Sequence, residues 1–352
     1  MKKTYGQIWV AYDRAQENEK ADFQNLLRDL CNGIQELERS RGRPRGPLSD
    51  LLFCMVFKVY CGVSCRRVKS DLRLAQKLGL ISKVPSKASI LRGFENAELR
   101  QYLTQLIIQS SLPLKSVEKT FAVDSTGFST SLFGRWMDFR DGKLESGEKR
   151  KWIKAHLMCG VLTNIVTAVE VTDANAGDAP YFEPLLDTTC QHFEPEKVVG
   201  DKAYTSLANF KYADSKRVLL VSPFKKNAKA VHASGDPLWT RLYHFYSLNK
   251  EWFDHTYHAR SNSESTNAMI KTKFGERLRS RTPAAQFNEL LCKVLCHNIC
   301  GPSRHIMNSA LSRRSGEMTK RRLRSVLNCI HLSTVDNASC ARLPGGRSGC
   351  VW

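Results

Sequence analysis

Apolar residues recur at helical spacing through the first third of the chain. Phe23, Leu26, Leu27, Leu30 and Ile34 share one face of a helix predicted over residues 17–37. The period returns over residues 51–60 and 64–78, where Gly79 supplies a stop, and again over 86–94 and 95–110. Pro113 marks a boundary beyond which the pattern shortens to that of strands.

Residues 120–124 read as a strand ending in Asp124, and residues 152–162 and 165–171 as two more joined by the polar turn Thr163-Asn164. The charged, Gly-containing stretch between Asp124 and Trp152 reads as a long hairpin loop. A helix over 181–193, capped by Asp178 ahead of Pro180, leads to a strand over 197–201 that again ends in an acid, Asp201. A helix over 207–216 and a strand over 218–224 come next, whereas residues 225–250 are basic and aromatic without clear period. Successive strands followed by alternating helices and strands argue for an α/β fold, a mixed sheet with helices on both faces. Ligand sites in such sheets gather at strand ends. From Pro283 an amphipathic helix turns Phe287, Leu290, Leu291, Val294 and Leu295 inward, and Trp239 and Trp252 are expected to pack in the core.

Charge changes this picture more than overall composition does. The chain has 352 residues, 42% of them hydrophobic, which is ordinary for a globular protein. Fifty-four Lys and Arg against thirty-four Asp and Glu leave a net +20, which points to a polyanion and first to nucleic acid. Arg66, Arg67, Lys69, Arg73, Lys83, Lys87 and Arg92 on the short helices suit a helix-turn-helix-like DNA reader, or a plain helical cap on the strand-rich domain beyond Pro113. Arg41, Arg43 and Arg45, in a stretch that Gly and Pro keep irregular over 39–47, suit an arm in a narrow minor groove or a solvated linker. Residues 302–352, with nine Lys and Arg against two acids, read as a basic, poorly ordered tail. The start lacks the apolar region of a signal peptide and no apolar run reaches a membrane span, so a cytoplasmic protein without a membrane partner is expected. Cys292, Cys296 and Cys300, every fourth residue on one helix, suit a packed face better than a tetrahedral zinc site.

The densest chemistry lies between Tyr257 and Lys271. On a helical wheel Tyr257, Arg260, Glu264 and Lys271 fall within about 60° of one another, with Ala259, Thr266 and Ile270 on the opposite side. A carboxylate framed by arginine, lysine and a phenol suits a cation beside a phosphate, and it also suits a solvated face of i,i+4 pairs. Two divalent ions held by carboxylates make or break phosphodiesters, and the acids this topology offers are Asp124, Asp201 and Glu264. Asp138, Asp141, Glu145 and Glu148 are acids of the loop, and Asp173 closes a strand near a turn.

Tyr257, Arg260, Glu264 and Lys271 fit the spacing Tyr-x2-Arg-x3-Glu-x6-Lys, and the chain resembles the DDE transposases of bacterial insertion sequences that carry this signature. Val123-Asp124-Ser125-Thr126 and Gly200-Asp201-Lys202-Ala203-Tyr204 look like the family's first and second acid motifs. The resemblance implies a ribonuclease H-like catalytic domain over residues 113–301, behind a helical DNA-binding region over 1–112. It implies Asp124, Asp201 and Glu264 as catalytic ligands of two Mg2+ or Mn2+ ions, with Tyr257, Arg260 and Lys271 on phosphates of the transposon end. Lys271, Lys273, Arg277, Arg279 and Arg281 would prolong these contacts along the duplex. The implied partners are double-stranded DNA, as terminal inverted repeats and target, and a second copy in a synaptic homodimer, in a bacterial, nucleoid-associated setting. A catalytically inactive, DNA-binding derivative and a simple metal-dependent nuclease are the competing expectations.

Overall fold

The strand Thr120–Ser129 (β1) lies at the centre of a five-stranded sheet of order β3-β2-β1-β4-β5. In this computed structural model the described residues are 9–35, 46–130 and 152–312, with side chains described from Asp13 to Gly301. Arg41, Arg43, Arg45, Asp138, Asp141, Glu145, Glu148 and the tail beyond residue 312 lie outside them. β1 runs antiparallel to Trp152–Gly160 (β2), which runs antiparallel to Val166–Asp173 (β3). On its other side β1 runs parallel to Lys197–Gly200 (β4), itself parallel to Leu219–Val221 (β5).

The chain alternates the faces it buries, as a strand period of two requires. Ala122 and Phe128 of β1 and Ile153, Ala155, Leu157 and Cys159 of β2 join a cluster with helices Trp9–Asn32 (α1), Leu48–Tyr60 (α2), Lys69–Lys77 (α3), Lys87–Glu95 (α4) and Leu99–Ser111 (α5). Phe121, Val123 and Met158 turn the other way, onto Phe182–Cys190 (α6) and Leu207–Ser215 (α7). The expected mixed sheet with helices on both faces is therefore present. The helices of the first third share one hydrophobic cluster with the sheet. Among the described residues no helix is long and apolar enough to cross a membrane.

Several local expectations are corrected. α1 begins at Trp9 and ends at Asn32, earlier at both ends than the apolar spacing suggested. β1 does not stop at Asp124, because its antiparallel pairing with β2 continues to Ser129↔Trp152 after the parallel pairing with β4 has ended at Val123↔Gly200. Residues 225–250 contain a helix, Pro237–Leu248 (α8), opened by Asp236, whose carboxylate accepts from the Leu238 N–H at 3.0 Å. That Asp-Pro start is a legible cap on a segment whose apolar period is blurred by aromatics. Asp178 does not cap a helix with its side chain; it pairs with Lys154 at 2.6 Å, and a 3-10 turn, Ala179–Tyr181, precedes α6. Trp239 is core, but Trp252 is 39% exposed, with the Lys197 ammonium over its ring.

The segment from Lys250 onward is not one regular helix. Lys250–Tyr257 (α9) passes through a 3-10 turn, His258–Arg260, into Ser261–Phe274 (α10), which Gly275 ends at φ 82°. Thr266 and Ile270 are buried as the wheel expected, Ile270 in the larger core, whereas Ala259 packs beside Val199 and Val221 on the sheet.

The last helix, Pro283–Ser312 (α11), organises the rest by buried polar side chains as well as apolar ones. Asn298 pairs with both the N–H and the carbonyl of Val166 at the start of edge strand β3, at 2.9 and 2.7 Å. Asn288 donates to the carbonyls of Phe94 and Asn96, and His297 Nε2 meets the carbonyl of Asn164. Glu289 accepts from the N–H groups of Arg279 and Ser280, while the Lys293 ammonium donates to the carbonyls of Gly275 and Arg277 at 2.7 Å each. Cys292, Cys296 and Cys300 lie in the core on this helix.

Candidate active site

Asp124 and Asp201 are brought together by strand register. Val123↔Gly200 is the last pair of the parallel β1–β4 ladder, so the next residue on each strand is an aspartate. A side chain at Gly200 would lie 2.9 Å from Val123 Cγ1, so glycine permits this close approach. Asp201 opens the 3-10 turn Lys202–Tyr204, its Oδ1 accepting from the Ala203 N–H at 2.8 Å, while the Ser222 hydroxyl donates to its backbone carbonyl.

α10 crosses against β1 and supplies partners for Asp124. The Asn267 amide donates to Asp124 Oδ2 at 3.1 Å, and the Ser263 hydroxyl lies 3.4 Å from the same oxygen. Burial pushes the Asp124 carboxyl up to about 6, and neighbouring Asp201 and Glu264 add to the shift; the Ser125 N–H and the Arg260 charge oppose it. Arg260, at the end of the 3-10 turn, holds Glu264 at 3.0 Å. Burial works against the Arg260 charge, yet Asp124, Tyr257, Glu264 and Asp201 together hold it above its ordinary value. Tyr257, which ends α9, is raised by burial and drawn back by Arg260.

Asp124, Asp201, Arg260, Glu264 and Tyr257 thus form one electrostatic group. Lys271 stands apart from Glu264 along α10, with its ammonium 5.5 Å from the Phe128 ring and 3.5 Å from Glu276. Burial lowers its pKa, against the attraction of Glu276 and Asp124. The basic track is uneven. Lys273, Arg277, Arg279 and Arg281 are all exposed, but Lys273 is ion-paired with Glu19 and the Arg279 guanidinium donates to the Gly62 carbonyl. Leu278 N and Glu276 O bond to Ser129, so the loop carrying these arginines is tied to the end of β1.

Two side-by-side carboxylates, one with its pKa raised by burial and like charge, suit a hard divalent cation that would relieve the repulsion. The residues fit such an ion in donor chemistry. In the arrangement seen, Glu264 is engaged by Arg260, and among the described residues no group of three or more His, Cys, Asp or Glu is set to hold a metal.

Ser263 and Asn267 join the site without belonging to any motif in the sequence. Their spacing, one helical turn apart and flanking Glu264, was a visible signal, but polar residues on a helix also suit a solvated face. On the opposite face of β1, Lys154 and His156 of β2 meet Asp178 at 2.6 and 3.3 Å, a group that no local spacing signals. Burial pushes Asp178 upward, but hydrogen bonds from His156, Lys154 and Ser125 outweigh it and bring the carboxyl down to about 2.

Comparison with known proteins adds a family to this geometry. No curated protein matches the chain in sequence. A cryo-EM structure of a piggyBac transposase synaptic complex with hairpin DNA aligns at a TM-score of 0.40 and 10% identity, covering 92% of this chain and 79% of that one. A likeness of that degree adds nothing about the fold. The sequence family described as transposase DDE domain matches residues 115–299, which takes in Asp124, Asp201, Arg260, Glu264 and Lys271. The chain belongs to the transposase DDE domain family.

Proposed function

We propose that this protein is the transposase of a bacterial insertion sequence. It binds the terminal inverted repeats of its element, hydrolyses a phosphodiester there and transfers the exposed 3′-hydroxyl into target DNA. The observation that carries the reading is the register that sets Asp124 beside Asp201 at the end of β4, near Arg260 of the 3-10 turn and Glu264 of α10. The strand order, three antiparallel strands followed by two parallel ones beside β1, supports a ribonuclease H-like catalytic unit.

In this reading Asp124, Asp201 and Glu264 hold two Mg2+ or Mn2+ ions, which would supply Lewis-acid activation of the attacking oxygen and stabilise the leaving one. Arg260, fixed near all three acids, orients a phosphate by its planar fork and holds Glu264 until DNA arrives. Tyr257 and Lys271 flank that phosphate, and Arg277 and Arg281 track the duplex. The helices α2 to α4, with exposed Arg66, Arg67, Arg73, Lys83, Lys87 and Arg92, serve as the repeat-binding region. Pairing of two ends requires a homodimer.

A DNA-binding derivative that does not cut is the second reading, favoured by the Arg260 contact that occupies Glu264. Incubating purified protein with a labelled duplex ending in the element's repeat and Mg2+ separates the two. Wild type is expected to nick and join, and Glu264→Ala to bind the repeat without doing either. Binding by wild type with no cleavage on the correct repeat would favour the derivative.

A further inference from the structure

Ser263 and Asn267 lie one turn apart on α10 and are 2% and 8% exposed, at the seam where that helix meets β1. A solvated polar face would leave them in water. Both side chains approach the same oxygen, Asp124 Oδ2. Ser263 has one hydroxyl proton for two acceptors, and the nearer is the Arg260 carbonyl at 2.7 Å, so its contact with Asp124 Oδ2 at 3.4 Å is the weaker of the two. The carbonyl oxygen of the Asn267 amide is buried with no hydrogen-bond partner among the described residues. An unpaired buried acceptor is costly, and such groups persist where a water or ion completes the site.

We propose that Asn267, assisted by Ser263, is a positioning residue that fixes the Asp124 carboxylate for divalent-cation binding and offers its own carbonyl to the ion's surroundings. This rests on the transposase reading. The Asn267 amide donating to one carboxylate oxygen, with the Ser263 hydroxyl beside it, restricts the carboxylate's rotation and leaves lone pairs for a cation, so the helix that carries Glu264 also sets the orientation of Asp124. Residues that orient a metal ligand in this way typically change metal affinity by about 10–100-fold when removed.

The test is a calorimetric Mn2+ titration of the full chain without DNA, for wild type, Asn267→Leu and Ser263→Ala. Asn267→Leu is expected to bind Mn2+ about 10–100-fold more weakly. Ser263→Ala is expected to lose less, because its bond is longer. Repeat binding in EDTA should stay at wild-type strength. In cleavage, the Mg2+ concentration for half-maximal rate should rise while the rate at saturating Mg2+ largely recovers. Unchanged Mn2+ affinity in a folded Asn267→Leu overturns the proposal and leaves the transposase reading standing. If Asn267→Leu does not fold, Asn267→Ala takes its place, and unchanged affinity there overturns the proposal equally. Wild-type protein that neither binds Mn2+ nor cleaves would remove both.

Discussion

Asp124 is where burial, like charge and an arginine compete for one proton. Its folded pKa of about 6 lies above the ordinary 3.8, so the folded state holds the proton more tightly than the unfolded chain. The stability from this group is fully present below about pH 4 and is lost as pH rises through about 6. At pH 8 without divalent ion, Asp124→Asn is therefore predicted to be more stable than wild type by ~1–3 kcal/mol while losing cleavage. A denaturation midpoint below wild type under those conditions would refute this. The same competition predicts an acid limb in cleavage near pH 6 at limiting Mg2+. Replacing Arg260 by Gln should move that limb upward, because the arginine holds the Asp124 pKa down; a downward move in the pH–rate profile would count against the assignment.

Among the secondary-structure elements, the sequence displayed apolar stripes well and polar grips poorly. Thr266 and Ile270 on α10 and Leu290, Leu291, Val294 and Leu295 on α11 are buried where their spacing placed them. The break between α9 and α10 left no mark in the spacing, because a 3-10 turn costs little and keeps the helical rod continuous. Asn288, Glu289, Lys293 and Asn298 look like ordinary polar positions, since the backbone groups they satisfy belong to other elements and loops. Asn298 takes the place of a neighbouring strand at Val166 of edge strand β3. Asn298→Leu should leave that N–H and carbonyl unpaired and cost about 2–4 kcal/mol, read from the urea midpoint. A loss within about 0.5 kcal/mol, the range of ordinary surface changes, would show that the grip contributes little.

For the whole molecule, charge was legible in sign but not in distribution. The net +20 points to a polyanion, yet along an exposed basic track Lys273 and Arg279 already hold partners within the chain. Lys273 is spent on Glu19, while Arg277 and Arg281 are exposed on a loop tied to β1. Replacing both arginines with Ala should reduce the slope of log affinity against log salt by about 2, and Lys273→Ala should change it little. Equal effects from all three would mean that the Glu19 pair opens on DNA. Asp124 and Asp201 stood out as acids after apolar strand runs, but their juxtaposition required the strand order, which depends on pairings across about eighty residues and leaves no local trace.

The central claim is that Asp124, Asp201 and Glu264 serve a metal-dependent phosphoryl-transfer centre. Its most direct test is a single phosphorothioate placed at the scissile position of the element's terminal repeat, with cleavage and joining tracked in Mg2+ and in Mn2+. Sulfur should suppress the reaction in Mg2+ and Mn2+ should restore it in wild type, with neither ion restoring it in Asp201→Ala. Bound repeat that stays intact in both ions, with or without sulfur, would contradict the account.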